Sequence, residues 1–549
     1  MGVGDDGGAV KTSAFRSAGI AVLFVALTAA MTWPQPARLS TQVFDSDDAL
    51  LSIWRISWIA HILPESPADL LNGNIFYPEK RTLAYTDSVL LEGFAAAPLI
   101  WAGVSPVTTY NLLLLLSIAL SGWAMWRYAF FLTGHDGAAI LAGIIFAFVP
   151  FRFDHFHHLE LQATIFLPLT LLYFERTLES GSQRDAILMI ASYVAQVFSC
   201  IYYSIFLATA LAPIALVRLW RLPADARARV IRVTAPPAII GFLVVSPYAA
   251  AYAMNRESVG ERVESDIQLC SATLPNYLAT TKANVMHGGW SARFGQAERF
   301  LFPGLLATAL AACGIHALDR RRVTLIAIGA FGFVISLGLN TPVYEVFRAL
   351  LIPYRGLRAP ARASMLVYIA LAALAAYGWT LLMRGRSKSA TSIATVIVAA
   401  LLLVEFRTRV DRWLTLPQKP AEVYQWLAAL PRSVVVEVPL ARADRLDRTW
   451  DSVYMFNSTW HWQPIVNGYS GFFPRSFIEL AENTTGFPDD RSLAYLRARG
   501  VDYVIIHGSL MDPDEFGEMT SRLLAHPGID ATVQFEEQGG SDVVFRLRR

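Results

Sequence analysis

Three aspartates follow the first apolar segment closely enough to form one acidic group. They are Asp45, Asp47 and Asp48, and the spacing of Trp54 and Trp58 predicts a helix directly after them. Carboxylates at a membrane surface can accept the proton of a hydroxyl nucleophile, and Asp45 with Asp47 can also hold a divalent cation such as Mg²⁺ or Mn²⁺. The structural alternative is that Asp47 or Asp48 caps the predicted helix.

Two more residues of the same segment are candidates for a substrate pocket. His61 follows Trp58 on the predicted helix, where it would line the pocket or lie at the membrane interface. Asp87 follows an aromatic turn and precedes the next apolar run, a position that also suits a structural helix start.

His155 and His158 lie one helical turn apart in a segment rich in aromatic residues. Imidazole groups at this spacing can bind a metal ion, but the chain has no second ligand cluster with zinc-like spacing. The aromatic neighbours favour a second interpretation, in which both histidines line a substrate cavity.

Arg355, Arg358 and Arg362 form a cationic group between two apolar runs. A guanidinium binds phosphate through paired hydrogen bonds, so this group predicts a site for a lipid phosphate. Snorkelling of the side chains to the membrane surface is the alternative. Glu298, at the mouth of another apolar run, is either an interfacial anchor or a residue of the same site.

The amino-acid composition indicates whether these residues lie in a membrane protein or in a soluble one. The chain has 549 residues, of which 54% are hydrophobic and 16% charged, and its mean hydropathy is +0.40, so most of it must lie in lipid. A net charge of +2 indicates no nucleic-acid partner. Three separated cysteines predict no disulfide framework, and the chain carries no phosphate-binding glycine loop, serine-hydrolase elbow or HExxH zinc motif.

Apolar runs of about 20 residues predict membrane spans. We expect about 11 of them, at Ser17–Trp33, Val107–Trp126, Ala138–Phe151, Leu161–Phe174, Ala186–Phe198, Ile201–Leu219, Ala235–Ala253, Phe300–Ala317, Val323–Leu339, Ala363–Leu382 and Ser392–Val404. Ser88–Val104 is also apolar but contains Glu92 and Pro98. Treating it as an interfacial or re-entrant helix puts five arginine-rich loops in the cytoplasm, as the positive-inside rule requires.

This topology divides the chain into two predicted domains. Residues 1–411 form a transmembrane domain with a cytoplasmic N-terminus and exported loops 34–106 and 254–299. Residues 412–549 form a soluble α/β domain on the non-cytoplasmic side, with strands at Val434–Val438, Val501–Ile506 and Val543–Leu547 and helices at Pro420–Leu430 and Pro513–Leu524. The arginine group falls on the exported side, where the charge rule disfavours it.

The pattern resembles the GT-C superfamily of membrane glycosyltransferases, which use polyprenyl-phosphate-linked sugars. The acidic motif after the first span and the two long exported loops carry this resemblance. Further motifs resemble bacterial GT-C-like proteins of undefined substrate, and they are Asp48-Ala49-Leu50-Leu51, Asn74-Ile75-Phe76-Tyr77-Pro78, Leu83-Ala84-Tyr85-Thr86-Asp87, Leu301-Phe302-Pro303-Gly304, Arg358-Ala359-Pro360-Ala361-Arg362 and the stretch from His461 to Gly471.

The resemblance implies a polytopic helical GT-C-like fold in the bacterial inner membrane. It implies an inverting transfer of a sugar from a polyprenyl-phosphate donor to a glycan, lipid or protein of the envelope. The loop-one carboxylate is then the general base, with Asp48 as the match and Asp47 and Asp45 as neighbours. Arg358 and Arg362 stabilise the lipid phosphate. A flippase for lipid-linked glycans and a non-catalytic scaffold of envelope assembly are the alternative functions.

Overall fold

The computed structural model describes residues 6–441, 450–537 and 539–548. Its helices in the first half of the chain are α1 (Asp6–Met31), α2 (Asp47–Glu65), α3 (Leu90–Trp101), α4 (Pro106–Thr133), α5 (Asp136–Phe148), α6 (Phe151–Asp154), α7 (Leu159–Gln162), α8 (Phe166–Ser180), α9 (Gln183–Ser199), α10 (Ile201–Trp220), α11 (Ala224–Val259) and α12 (Glu264–Leu269). Those in the second half are α13 (Gly288–Ser291), α14 (Leu305–Gly314), α15 (Arg320–Ser336), α16 (Pro342–Leu350), α17 (Ser364–Leu382), α18 (Lys388–Phe406), α19 (Glu422–Ala428), α20 (Asp451–Ser458), α21 (Arg475–Asn483), α22 (Asp490–Ala498) and α23 (Pro513–Ala525). The strands are β1 (Gln42–Phe44), β2 (Trp413–Thr415), β3 (Val435–Val438), β4 (Tyr503–His507), β5 (Ile529–Glu537) and β6 (Gly540–Leu547).

Seven helices are long and apolar enough to cross a membrane within the described part of the chain, and all seven coincide with predicted spans. The other four predicted spans form α8, α9, α14 and α15, with 15, 17, 10 and 17 residues. Their crossing of the membrane stays a prediction. The seven long helices make this a multi-pass membrane protein. Helix α3 has 12 residues and α14 has 10, so both are shorter than a straight helix that crosses a 30 Å core, and length does not distinguish them. The interfacial placement of Ser88–Val104 therefore also stays a prediction.

The chain forms two compact units that do not follow the predicted division at residue 411. The first contains residues up to 39 together with 111–247 and 261–412. The second contains 40–110, 248–260 and 413–549, so most of loop 34–106 belongs with the C-terminal residues. The predicted division by side of the membrane remains a prediction.

Helix α17 forms the centre of the first unit and packs against α5, α14 and α15. Most of its side chains are buried. A Cβ atom at Gly378 would lie 1.9 Å from the carbonyl oxygen of Leu310, so glycine is required where α14 and α17 cross. This close packing fixes the start of α17, which carries part of the candidate site.

The second unit is built on a four-stranded sheet in the order β3-β4-β6-β5. Strands β3 and β4 are parallel and the other pairs are antiparallel, which confirms the predicted small α/β domain. Loop 34–106 pairs with this domain through two backbone segments. Strand β1 pairs with β2, and the amides of Phe76 and Tyr77 donate to the carbonyl oxygens of Asn467 and Ile465, both at 3.0 Å.

A buried histidine links three strands of this sheet. His507 on β4 contacts Asp542 Oδ1 at 3.0 Å through Nδ1 and Glu437 Oε2 at 2.9 Å through Nε2. Hydrogen bonds and charge from these two carboxylates outweigh burial and raise the pKa of His507 to about 9. Tyr424 and Tyr454 also face the cluster, and burial raises the pKa of both phenols well above the usual value.

Alkaline pH is therefore expected to destabilise the second unit. The folded pKa of His507 lies above its ordinary value of 6.5, so the stabilisation is complete below pH 6.5 and is lost as the pH rises through about 9. The effect is on the order of 3 kcal/mol. Apparent melting temperatures of the purified protein between pH 6 and 10 measure it, with His507→Gln as the control. An identical pH dependence in the variant would contradict the assignment.

Candidate active site

A buried arginine–glutamate pair lies in the first unit. Arg362 is on the short 3-10 turn Pro360–Ala363 that leads into α17, and Glu298 is in the loop before α14. The Arg362 guanidinium donates to Glu298 Oε2 at 3.0 Å through Nε and to Oε1 at 2.5 Å through Nη2. This two-point contact fixes the orientation of both side chains.

Glu298 is held as a charged carboxylate. Burial alone would raise its pKa, but the charges of Arg362 and His155 outweigh burial and keep the pKa well below the usual range. The backbone φ of Glu298 is 68°, a left-handed conformation that costs a non-glycine residue about 1–3 kcal/mol. Such strain persists only where the surrounding structure fixes it, so Glu298 is a rigid anion.

Arg358 belongs to the same group but is more accessible. Its Nη2 lies 3.8 Å from Glu298 Oε1, and 41% of its side chain is exposed. Tyr202 on α10 supports both arginines, because its hydroxyl accepts from the Arg358 amide at 2.9 Å and its ring lies 4.9 Å from the Arg362 guanidinium carbon. Sequence reasoning missed Tyr202. Its one signal was an aromatic residue at the start of an apolar helix, a position typical of the interface.

His155 and His158 reach this group from the segment between α6 and α8. His155 Nε2 lies 3.7 Å from Glu298 Oε2, and the two imidazole rings are 5.5 Å apart. Gln162 braces the segment by donating from Nε2 to the carbonyl oxygens of Arg152 and His155, both at 2.8 Å. The structure thus brings together five of the predicted site residues, namely His155, His158, Glu298, Arg358 and Arg362.

A metal ion fits this group poorly. One ligand atom from each of His155, His158 and Glu298 lies within 4.8 Å of the others. However, Arg362 occupies both oxygens of Glu298 and Arg358 is 3.8 Å away, so a divalent cation would face two guanidinium charges. No reaction step is assigned to a metal, and the cation predicted at Asp45 and Asp47 remains a prediction.

Arg355 has different surroundings from the other two predicted arginines. Its Nε donates to the carbonyl oxygen of Arg348 at 3.1 Å and its Nη2 to that of Ala349 at 3.3 Å, at the C-terminal end of α16. The C-terminal end of a helix carries a partial negative charge, which a cation stabilises. These contacts favour a structural role, and substrate binding by Arg355 stays an untested prediction.

The acidic group of loop 34–106 lies in the second unit, at the start of α2. Ser46 is the N-cap, since its side chain accepts from the Asp48 amide at 3.3 Å. The alternative prediction that Asp47 or Asp48 caps the helix is therefore wrong. Ser46 makes the capping contact, so neither carboxylate is needed for it.

Two hydroxyl groups from the C-terminal part of the chain bind these carboxylates. Ser452 on α20 donates to Asp47 Oδ1 at 2.5 Å, and the Tyr469 hydroxyl donates to Asp48 Oδ1 at 3.4 Å. Partial burial raises the pKa of Asp47, the Ser452 hydrogen bond opposes the rise, and repulsion from Asp48 and Asp45 adds to it. A raised pKa makes a carboxylate a stronger base.

His61 and Asp87 lie elsewhere in the second unit. His61 is about 20 Å beyond Asp48 along α2, where its ring stacks on Trp462 with centroids 4.2 Å apart. Asp87 is 7% exposed, and its backbone carbonyl accepts a hydrogen bond from the buried Arg55. The helix separates His61 from the acidic group, and its role in binding stays a prediction, as does that of Asp87.

Comparison with solved structures identifies the architecture. A cryo-EM structure of arabinofuranosyltransferase AftD from Mycobacteria matches 97% of this chain with a TM-score of 0.62 at 15% identity. The chain has a GT-C fold. It spans 41% of the length of AftD.

Two other solved structures match the chain with TM-scores below 0.5. ArnT from Cupriavidus metallidurans matches 96% of this chain and 98% of its own, with a TM-score of 0.49 at 13% identity. The oligosaccharyltransferase from Archaeoglobus fulgidus matches 89% of this chain and 69% of its own, with a TM-score of 0.46 at 10% identity. No protein-family model and no curated protein sequence matches the chain.

Proposed function

We propose that this GT-C protein is a membrane glycosyltransferase. It moves a sugar from a polyprenyl-phosphate donor to an envelope acceptor on the non-cytoplasmic side, with its N-terminus in the cytoplasm. The fold shared with AftD supports the reaction class, and the positive-inside pattern of the loops supports the sidedness. A glycan, lipid or protein of the envelope is the acceptor.

The observation that carries this proposal is that two neighbouring arginines differ in exposure and in their contacts with Glu298. Arg362 is 5% exposed and saturated by Glu298, whereas Arg358 has 41% of its side chain exposed and its guanidinium contacts Glu298 only at 3.8 Å. Arg358 can therefore bind an external anion while Arg362 and Glu298 hold the local structure. A lipid phosphate is the anion that a membrane enzyme meets at such a position.

The reaction is a single displacement with inversion. Asp48 takes the proton of the acceptor hydroxyl as its oxygen forms a bond to the anomeric carbon of the donor sugar. The bond between the anomeric carbon and the phosphate oxygen breaks, and its electron pair leaves with the polyprenyl phosphate. Arg358 stabilises the negative charge that develops on this phosphate. The proton on Asp48 is then released to water.

The variant Arg358→Ala tests the donor site. A hydrogen bond to a charged group contributes about 1.5–3 kcal/mol, so KM for the donor should rise about 10- to 150-fold while KM for the acceptor stays near the wild-type value. The assay uses purified protein, polyprenyl-phosphate-linked arabinofuranose as the first donor, chosen after the AftD match, and isolated envelope glycans as acceptors. A panel of other polyprenyl-phosphate sugars follows.

Arg348→Ala is the matched control, since Arg348 contacts the exposed Glu264 at 3.1 Å. An unchanged donor KM in Arg358→Ala would contradict the donor site. Movement of a labelled lipid-linked sugar across proteoliposomes, without transfer to any acceptor, would instead support the flippase alternative.

A further inference from the structure

The C-terminal domain contributes two hydroxyl groups to the acidic group of the first exported loop, from the buried Ser452 and the half-buried Tyr469. Ser452 is 1% exposed, and its hydroxyl reaches Asp47 over a separation of 405 residues in the chain. Tyr469 reaches Asp48 over 421 residues. A hydrogen bond donated to a carboxylate by a buried side chain restricts how that carboxylate rotates.

The two donors are themselves held together. Asp451, the neighbour of Ser452, accepts a hydrogen bond at 3.0 Å from the amide of Gly468, the neighbour of Tyr469. The amide of Tyr469 contacts Met455 Sδ at 2.9 Å. These contacts tie α20 to the turn that carries Tyr469, so both donors belong to one rigid element.

The first exported loop packs tightly on this element. A Cβ atom at Gly468 would lie 2.6 Å from the ring of Phe76, so only glycine allows the contact. The Phe472 amide donates to the Tyr85 carbonyl at 3.1 Å, and α2 packs directly against α20. The start of α2 is therefore fixed by the C-terminal domain over several contacts and not by the two hydroxyl groups alone.

We propose that the C-terminal domain is a working part of the transfer site, in which Ser452 and Tyr469 are positioning residues that orient the carboxylates of Asp47 and Asp48 toward the acceptor hydroxyl. This inference rests on the proposed glycosyltransferase function. It gives the C-terminal domain a role in the proton transfer itself, beyond any role in binding a partner. Orientation of a catalytic group to within a fraction of an ångström changes rates by large factors.

Kinetics of four single variants test the roles. Ser452→Ala and Tyr469→Phe should each lower kcat about tenfold with little change in KM for the donor, since each variant removes one hydrogen bond that orients a carboxylate. Ser452→Thr keeps a hydroxyl and should restore most of the loss. Ser458→Ala is the matched control, because Ser458 is buried on the same helix and donates to the Met455 carbonyl at 2.8 Å.

Carbodiimide labelling of Asp47, quantified by mass spectrometry, gives a readout that needs no turnover. Removing the Ser452 hydroxyl uncovers Oδ1 of Asp47, so labelling should become several-fold faster in Ser452→Ala and stay unchanged in Ser458→Ala. Equal kcat and equal labelling in these two variants would overturn the inference. Absence of transfer by the wild-type protein would contradict the proposed function instead, and the labelling comparison would still decide whether Ser452 orients Asp47.

Discussion

Replacing Asp48 with asparagine is expected to lower kcat about 10²- to 10⁴-fold, the usual contribution of a general base. Asparagine has nearly the same shape and can still accept the hydrogen bond from Tyr469, so folding and membrane insertion should be unchanged. Donor binding, which we propose depends on Arg358, should also be preserved. The rate of sugar transfer, the donor KM and the apparent melting temperature of the purified variant measure the three effects.

Glu65→Gln is the control for Asp48→Asn, because it removes a carboxylate that is 62% exposed at the far end of the same helix. We expect wild-type kcat in this control. Full activity of Asp48→Asn would exclude Asp48 as the base. A large loss in Asp47→Asn together with an active Asp48→Asn would assign the base to Asp47, whose pKa partial burial raises.

Replacing Arg362 with methionine is expected to destabilise the first unit by ~3–5 kcal/mol, because Glu298 would remain as a buried and uncompensated charge. The side chains of Arg362 and Glu298 are 6% and 14% exposed, so solvent screens their interaction little. A lowered apparent melting temperature in detergent measures the loss. The same substitution at the more exposed Arg358 should change stability by less than about 1 kcal/mol.

The double variant Arg362→Met with Glu298→Gln separates charge from packing. Removing both charges leaves no unpaired ion in the protein interior, so most of the lost stability should return. A double variant as unstable as Arg362→Met would show that packing around Arg362, and not the ion pair, stabilises this region.

The elements of the fold followed well from local patterns. Val434–Val438, Val501–Ile506 and Val543–Leu547 are strands β3, β4 and β6 with small shifts, because short β-branched runs bounded by turns have few other stable conformations. Strand β5 was not predicted. Its sequence, Ile529–Glu537, alternates apolar with polar residues, which is the pattern of a half-buried strand, so the signal was present and the prediction overlooked it.

Span lengths were less predictable than span positions. The four predicted spans that form α8, α9, α14 and α15 are helices at the expected places, but each has at most 17 residues. Hydropathy reports how apolar a run is, whereas the end of a helix depends on local capping. Asp319 accepts from the Arg322 amide at 2.8 Å and begins α15, a short-range contact that a count of apolar residues does not include.

The amino-acid sequence by itself determined the membrane class, the small α/β domain and the residue types of the site, because these depend on composition and on patterns within one helix or strand. Only the tertiary structure decided which charged and polar groups of the site contact each other. Glu298 neutralises Arg362 across 64 residues and so distinguishes it from Arg358, and Ser452 reaches Asp47 across 405. Contacts at such separations arise from the packing of whole elements, which no local pattern encodes.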